Sequence, residues 1–326
     1  MTDTYSIGLL LGDGIGPEVV RATQRVIDAA LEGQDEVDVA WIELPMGAQA
    51  IDEFGSSLPA ETTERLTTCD GWIMGPHDNA SYPPEDRKHR NPSAELRHHF
   101  DLYANIRPAK SVGAMSAIRD DVDLVIVREN TEGFYSDRNL YWGHGELMPT
   151  PDVALTLGVF TRAAITRIAH TAFALAARRR NHLTVVHKAN VLQRSSGMYV
   201  EVCRELAQLY PDVVVDDRHV DAMAALLVRC PSDFDVVVTE NLFGDILSDL
   251  ASEVVGSVGC GAAINAGRDH AMAQASHGAA PALAGRDIAN PAGEILSGAM
   301  LLEWMGDRRG SNVLIEAADS VKQAVG

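Results

Sequence analysis

The segment FDVVVTENLFGDILSDLAS, residues 234–252, changes its periodicity in mid-course. It opens as a continuous β-branched run, the pattern of a strand buried on both faces, and after Glu240 and Asn241 resumes at helical spacing. A strand therefore passes through a short turn directly into a helix. That helix carries Asp245 and Asp249, four positions apart and so about 5–6 Å from each other on one face, where like charges repel unless something positive lies between them. Gly244 and Asp245 fall near the turn, with Ile246, Leu247 and Leu250 expected to anchor the opposite face. Two readings of the carboxylates stay open. They form a solvated acidic face or, with Asp221 of RHVDAMAALLV, a set of hard oxygen ligands for Mg²⁺ or Mn²⁺.

Working outward, the same alternation recurs. SIGLLL, VDVAWIEL, GWIMGP, VDLVIV, LTVVHK and VVVDD read as further strands, and helices are predicted over 17–31, 161–179, 197–209, 221–229, 242–255 and 291–305. This predicts an α/β fold with substantial parallel pairing. At 326 residues the chain suits two lobes or one large α/β unit. Residues 77–93 and 136–152 are polar and read as loops.

Lys and Arg total 27 against 46 Asp and Glu, a net charge of −19, which disfavours nucleic-acid phosphates and anionic membranes as partners. An anionic ligand then needs a local basic pocket. The four cysteines, Cys69, Cys203, Cys230 and Cys260, form no CxxC pair and read as reduced thiols. No apolar run approaches the 18 or so residues of a membrane span, and the N-terminus lacks a basic region before its apolar stretch, so a cytoplasmic location is expected.

Several groups could carry chemistry. GDGIGPE, residues 12–18, follows a strand and opens a helix but lacks the third glycine of a dinucleotide fingerprint, so locally it is a tight turn. Arg97, Arg107 and Arg128 are surface ion-pair formers unless they converge, in which case their forks would grip carboxylates. Lys188, just past the strand LTVVH, is either solvated or a base; His187 beside it reads as structural. HGAAPALAGRDIANP, residues 277–291, is a loop with closely approached backbone.

In this order, GDGIGPE, LRHHFDLYANIRP, VRENTEGFY, HKAN, VDAM, NLFGDILSD and HGAAPALAGRDIANP resemble the metal-dependent β-decarboxylating dehydrogenases, the isocitrate/isopropylmalate family, from Gly12 to about Met300. The resemblance implies a two-lobed, non-Rossmann α/β fold with a mixed sheet across the lobes. It assigns residues 1–102 and 253–326 to a large cofactor-binding lobe and 103–252 to a small lobe with the dimer contact and an arm at 136–152. It further implies Asp245 and Asp249, with Asp221 of the partner subunit, as ligands of Mg²⁺ or Mn²⁺, and Arg97, Arg107 and Arg128 as the grip on the departing carboxylate. Lys188 is implied as general base and Tyr135 as the acid that protonates the enol. NAD, or alternatively NADP, would lie against His277, Gly278, Ala279, Ala280, Pro281, Ala282 and Leu283, with Asn290 beyond. The implied partners are a hydroxy di- or tricarboxylate and a second copy of the chain in a homodimer with shared active sites.

Substrate choice turns on the residues before Arg97. Asn91, Pro92, Ser93, Ala94 and Glu95 make a mostly polar wall, poor at burying an isopropyl group worth about 0.8 kcal/mol per CH₂. Isocitrate, homoisocitrate, tartrate or D-malate is therefore expected over isopropylmalate, with Asn91 and Ser93 as candidate contacts; Arg87, Lys88, His89 and Arg90 read as a solvated basic loop before they read as a receiver of a distal carboxylate. Ala282 and Leu283 carry neither the acid usual with NAD nor the Lys-Tyr pair of many NADP enzymes; NAD is expected. A silent regulatory subunit would have lost catalytic or metal residues, and Tyr135, Lys188, Asp221, Asp245 and Asp249 are all present. A phosphoryl-transfer enzyme would need a phosphate-cradling glycine loop that is absent.

Overall fold

The computed structural model describes residues 2–85, 91–111, 117–135 and 140–326. Arg87, Lys88, His89 and Arg90, and residues 136–139 of the expected arm, lie outside the described residues. The strands are β1 (Asp3–Leu10), β2 (Val37–Glu43), β3 (Gly71–Met74), β4 (Ala104–Lys110), β5 (Asp123–Glu129), β6 (Glu146–Thr150), β7 (Val153–Thr156), β8 (His182–His187), β9 (Val214–His219), β10 (Val236–Thr239), β11 (Ile264–Ala266) and β12 (Ala271–Ala273). The helices are α1 (Gly16–Leu31), α2 (Ala48–Phe54), α3 (Ala60–Leu66), α4 (Pro92–His99), α5 (Arg162–Ala177), α6 (Ser195–Ala207), α7 (Val220–Arg229), α8 (Asn241–Val255), α9 (Ala292–Arg309) and α10 (Asn312–Val325). Among the described residues no helix is long and apolar enough to cross a membrane.

The chain divides into two compact units, Met1–Leu102 with Val258–Gly326, and Tyr103–Ser257. The second switch falls at Ser257/Val258 rather than at 252/253, because α8 runs unbroken to Val255 and the chain can leave the unit only beyond the helix end.

In the first unit the strands lie in the order β2-β1-β3-β12-β11, parallel except for the β11–β12 pair. Leu10, Trp72, Met74, Leu96, Leu102 and Met272 form one buried cluster there, and α9 packs on α1 and α10.

The second unit has the order β4-β5-β10-β8-β9, with only the β4–β5 pair antiparallel. Successive residues of a strand face opposite sides, so a strand covered on both faces must be apolar throughout. Val125, Val127, Val236 and Val238 pack with Ile165, Phe173 and Tyr199 of α5 and α6. The alternate residues, Leu124, Ile126 and Val237, pack with Met223, Leu227, Leu247 and Ala251 of α7 and α8. That double coverage explains the unbroken run FDVVV.

Three expectations need correction. The loop expected at 136–152 contains β6, which pairs with β7 in a two-stranded antiparallel sheet; Pro149 and Pro151 masked the short alternation, and every residue of both strands is exposed. The loop expected at 77–93 ends inside α4, whose first residue is Pro92. Ile246 does not anchor α8: Leu247 is fully buried, but Ile246 is 57% exposed.

Candidate functional site

In open α/β sheets, ligands gather outside the carboxyl ends of the parallel strands. The register of the second unit brings Arg128 at the end of β5 beside Thr239 at the end of β10, and the chain then turns through Glu240 into α8. Glu240 caps that helix, its carboxylate accepting from the N–H groups of Leu242 (2.7 Å) and Phe243 (3.3 Å). On the antiparallel neighbour β4, Asn105 stands opposite Arg128 and Arg107 lies two residues on, so Asn105 and Arg107 share a face.

These positions make a cluster of opposite charges. Both guanidiniums reach Asp245: Arg128 through a direct hydrogen bond from Nη1, and Arg107 through Nη2 at 3.4 Å. Arg107 also donates to Asp249 (3.2 Å), to Ser248 Oγ (2.7 Å) and to Asn105 Oδ1 (2.6 Å). Tyr135 donates its hydroxyl to the second oxygen of Asp245, and the Arg128 guanidinium lies over its ring, 5.1 Å from the centroid. The positive partner demanded by the i, i+4 carboxylate pair is thus, within this chain, Arg107 with Arg128. Burial, reinforced by the charge of Arg128, lowers Arg107 to about 10, which leaves it protonated at neutral pH. Burial holds the Asp249 carboxyl above its usual range despite Arg107, and Asp245 adds to the effect.

Lys188 and Asp221 follow the neighbouring strands β8 and β9, and they pair with each other. That hydrogen bond holds Asp221 below the usual carboxylate range. His187 accepts from the Ala189 N–H at Nδ1 (3.0 Å) and donates from Nε2 to Asp217 (3.1 Å), which fixes its tautomer and the turn carrying Lys188. Among the described residues no three His, Cys, Asp or Glu side chains of one chain gather as a metal site.

In the first unit the GDGIGPE turn and the loop at 277–291 meet. Gly14 has φ +58°, and a Cβ there would collide with the Ala279 carbonyl, to which Ile15 donates its N–H at 2.9 Å. Glu18 accepts from the Gly285 N–H at 2.5 Å. Ala280 adopts φ 39°, before the single turn Pro281–Leu283. His277 keeps Nδ1 near the Gly278 carbonyl (3.1 Å), while its buried Nε2 has no hydrogen-bond partner among the described residues; burial lowers its pKa. Asn290 accepts from the Ala292 N–H (3.0 Å) and donates to Cys260 Sγ (3.5 Å).

Also in this unit, Ser93 Oγ and Arg97 Nη2 donate to the same Gln274 oxygen, at 2.9 and 3.0 Å. Asn91 is the N-cap of α4, accepting from Ala94 N–H at 2.8 Å. Sequence reasoning gave no role to Asn241, Ser248, Asn105, Gln274 or Asp13. Asp13 accepts from the N–H groups of Ala48 and Asp78 and from Tyr82 Oη at 2.7, 2.8 and 2.5 Å, pinning the glycine turn. Only Asn241 carried a signal, as the polar residue interrupting the strand-to-helix run.

Fold and site together define the class: an α/β protein of two units, the second gathering arginine and aspartate side chains at the carboxyl ends of its strands. A family model described as "Isocitrate/isopropylmalate dehydrogenase" matches residues 6–325. The 3-isopropylmalate dehydrogenase of Saccharolobus solfataricus is 38% identical over 322 residues, spanning 99% of this chain and 90% of the relative. The isocitrate/homoisocitrate dehydrogenase of Thermus thermophilus is 39% identical over 320 residues, 97% and 90% of the two chains. A crystal structure of isocitrate dehydrogenase from Methylococcus capsulatus superposes with a TM-score of 0.84 at 37% identity, covering 98% of this chain and 99% of that one. The chain belongs to the isocitrate/isopropylmalate dehydrogenase family and is an NAD(P)-dependent decarboxylating dehydrogenase acting on a CH–OH group.

Proposed function

We propose that the chain catalyses metal-dependent, NAD-linked oxidative decarboxylation of a malate-type 2-hydroxy acid, namely isocitrate, homoisocitrate, tartrate or D-malate, as a homodimer with shared sites. The observation that supports this above all others is the convergence of two buried guanidiniums, Arg107 and Arg128, on the carboxylates of Asp245 and Asp249. Buried arginine forks next to accessible acids can exchange one carboxylate partner for another, which is what a carboxylate substrate requires.

The donor set fits a hard divalent cation. Asp245 and Asp249 lie one helical turn apart, with side chains 36% and 52% exposed, so both carboxylates are open to a hard cation. With the partner subunit's Asp221 they would hold Mg²⁺ or Mn²⁺, which when bound supplies Lewis-acid polarisation of the substrate hydroxyl. The orphaned Nε2 of His277 and the left-handed turn at Ala280 suit a ligand lying along residues 277–283 with Asn290, and a dinucleotide there supplies the hydride acceptor. Ala282 and Leu283 carry neither an acid for the ribose hydroxyls nor a Lys-Tyr pair for a 2′-phosphate, and NAD is the cofactor proposed, with NADP the alternative.

The chain's own groups then divide the work. Arg107 and Arg128 hold the carboxylate that departs. Nζ of the partner subunit's Lys188 takes the hydroxyl proton as the alcohol is oxidised. Tyr135 Oη gives a proton to the carbon left by the departing carbon dioxide. The exposed β6–β7 sheet, with Leu147, Met148, Val153 and Leu155, and the exposed Leu242 and Ile246 of α8 support the homodimer, because an isolated two-stranded ribbon is marginal in water.

A second reading, 3-isopropylmalate, is favoured by the names of relatives such as the Saccharolobus solfataricus enzyme. Against it stands the buried Ser93, whose polar contact with Gln274 leaves little apolar wall. Reduction of NAD with Mn²⁺ over isocitrate, homoisocitrate, tartrate, D-malate and isopropylmalate decides between them. Turnover of one of the first four is expected; turnover of isopropylmalate alone overturns the substrate assignment.

A further inference from the structure

Arg128 is held from its side. Its Nε and Nη2 both donate to Oδ1 of Asn241, at 2.9 and 2.7 Å. Asn241 cannot swing away, because its own Nδ2 donates to the main-chain carbonyl of Glu132 at 2.9 Å. Arg128 is 1% exposed and Asn241 is 0% exposed. Gly244 supplies a second wall, since a Cβ there would lie 2.6 Å from Cγ and 2.7 Å from Cβ of Arg128. The arginine stem therefore rests directly on the backbone of α8.

A guanidinium offers a side edge, Nε with one Nη, and an end edge made by the two Nη groups. Asn241 occupies the side edge, and the end edge reaches Asp245 through Nη1. The occupant is a neutral carboxamide. It satisfies two donors without cancelling the charge, whereas a carboxylate in the same place would satisfy them and neutralise it.

We propose that Asn241 is a positioning residue which, with Gly244, turns the end edge of Arg128 toward the substrate carboxylate while keeping its charge available there. The proposal rests on the assignment of Arg128 to substrate binding. It makes Asn241 a determinant of hydroxy-acid affinity although it is shut off from solvent behind the arginine.

The test uses the full chain with Asn241→Ala, Asn241→Asp, Gly244→Ala and Arg128→Ala, each probed with isocitrate and D-malate. KM for the acid, KM for NAD and kcat are measured, and acid binding is followed by calorimetry without turnover. Losing these charge-assisted hydrogen bonds in Asn241→Ala, and cancelling the guanidinium charge in Asn241→Asp, should each raise the acid KM roughly 10- to 100-fold, and Gly244→Ala should do the same from the opposite wall. KM for NAD should stay within about twofold, a split that general destabilisation would not produce. Should Asn241→Ala fail to fold, Asn241→Asp and Gly244→Ala carry the test. Unchanged acid affinity in those two, alongside a loss in Arg128→Ala, overturns the positioning role. Equal losses for acid and NAD overturn it as well. Unchanged acid affinity in Arg128→Ala instead overturns the substrate-binding assignment on which it rests.

Discussion

Glu294, in the first turn of α9, is fully buried, with Oε2 accepting from the Ala275 N–H at 2.7 Å and Oε1 without a hydrogen-bond partner among the described residues. Burial pushes its carboxyl from 4.5 up to about 8, against the pull of the Ala275 N–H. Because the folded pKa is raised, the stability it contributes is complete below 4.5 and is lost as pH climbs through about 8. The loss runs at about 1.4 kcal/mol per pH unit within that window, so between about pH 5 and 7 it is on the order of 2.5 kcal/mol. Glu294→Gln keeps an acceptor for Ala275 and removes the titration. In scanning calorimetry, the wild-type midpoint relative to the variant should fall by roughly 3–5 °C from about pH 5 to 7, at about 1.5 °C per kcal/mol for a chain of 326 residues. Glu132 and Glu240, both pushed up to about 7 by burial, titrate in both proteins and cancel in the difference. Two curves that stay parallel from about pH 5 to 8 would refute a buried, neutral Glu294 at the root of the 277–291 loop.

Three further outcomes are expected. Lys188→Met should abolish alcohol oxidation, while Tyr135→Phe should slow carbon dioxide release more than hydride transfer; separate stopped-flow signals for the two steps check this, and wild-type behaviour in either variant removes that residue's role. Asp249→Asn should weaken Mn²⁺ by roughly tenfold or more, read from free-Mn²⁺ electron paramagnetic resonance, because it withdraws a charged oxygen ligand. Gly14→Ala forces an L-residue to φ +58° against the Ala279 carbonyl, costing about 1–2 kcal/mol locally, and should raise KM for NAD while sparing KM for the hydroxy acid.

The parts of the fold legible in the sequence are those where one periodicity governs a whole element. FDVVV and DLVIV are apolar because helices cover both faces of β5 and β10, and the long helices α1, α5, α6, α7, α8 and α9 lie close to where their apolar spacing put them. Elements shaped by context were not legible. β4 carries Arg107, Pro108 and Lys110, and β11 and β12 are three residues each, so none shows an alternation of its own. In the site, charged residues following strand ends could be proposed singly, but convergence depends on register: Arg107 reaches Asp249 because β4 runs antiparallel to β5, which no local pattern reveals. Asn241 and Gln274 were passed over because a neutral amide announces no chemistry until its partner is known.

The first unit is assembled from chain segments made far apart in time. β3 pairs with β1, but its other neighbour is β12 at Ala271–Ala273, and α1 rests against α9 and α10. At about 5–20 residues per second of synthesis, the N-terminal hundred residues wait on the order of 10–40 s for those partners. Tyr103–Ser257 emerges whole in the interval and can close its own core first. A ribosome that stalls after Ser257 would leave Trp72 and Ile73 on an unmated edge, so slow translation of this stretch is where nascent-chain clumping should begin.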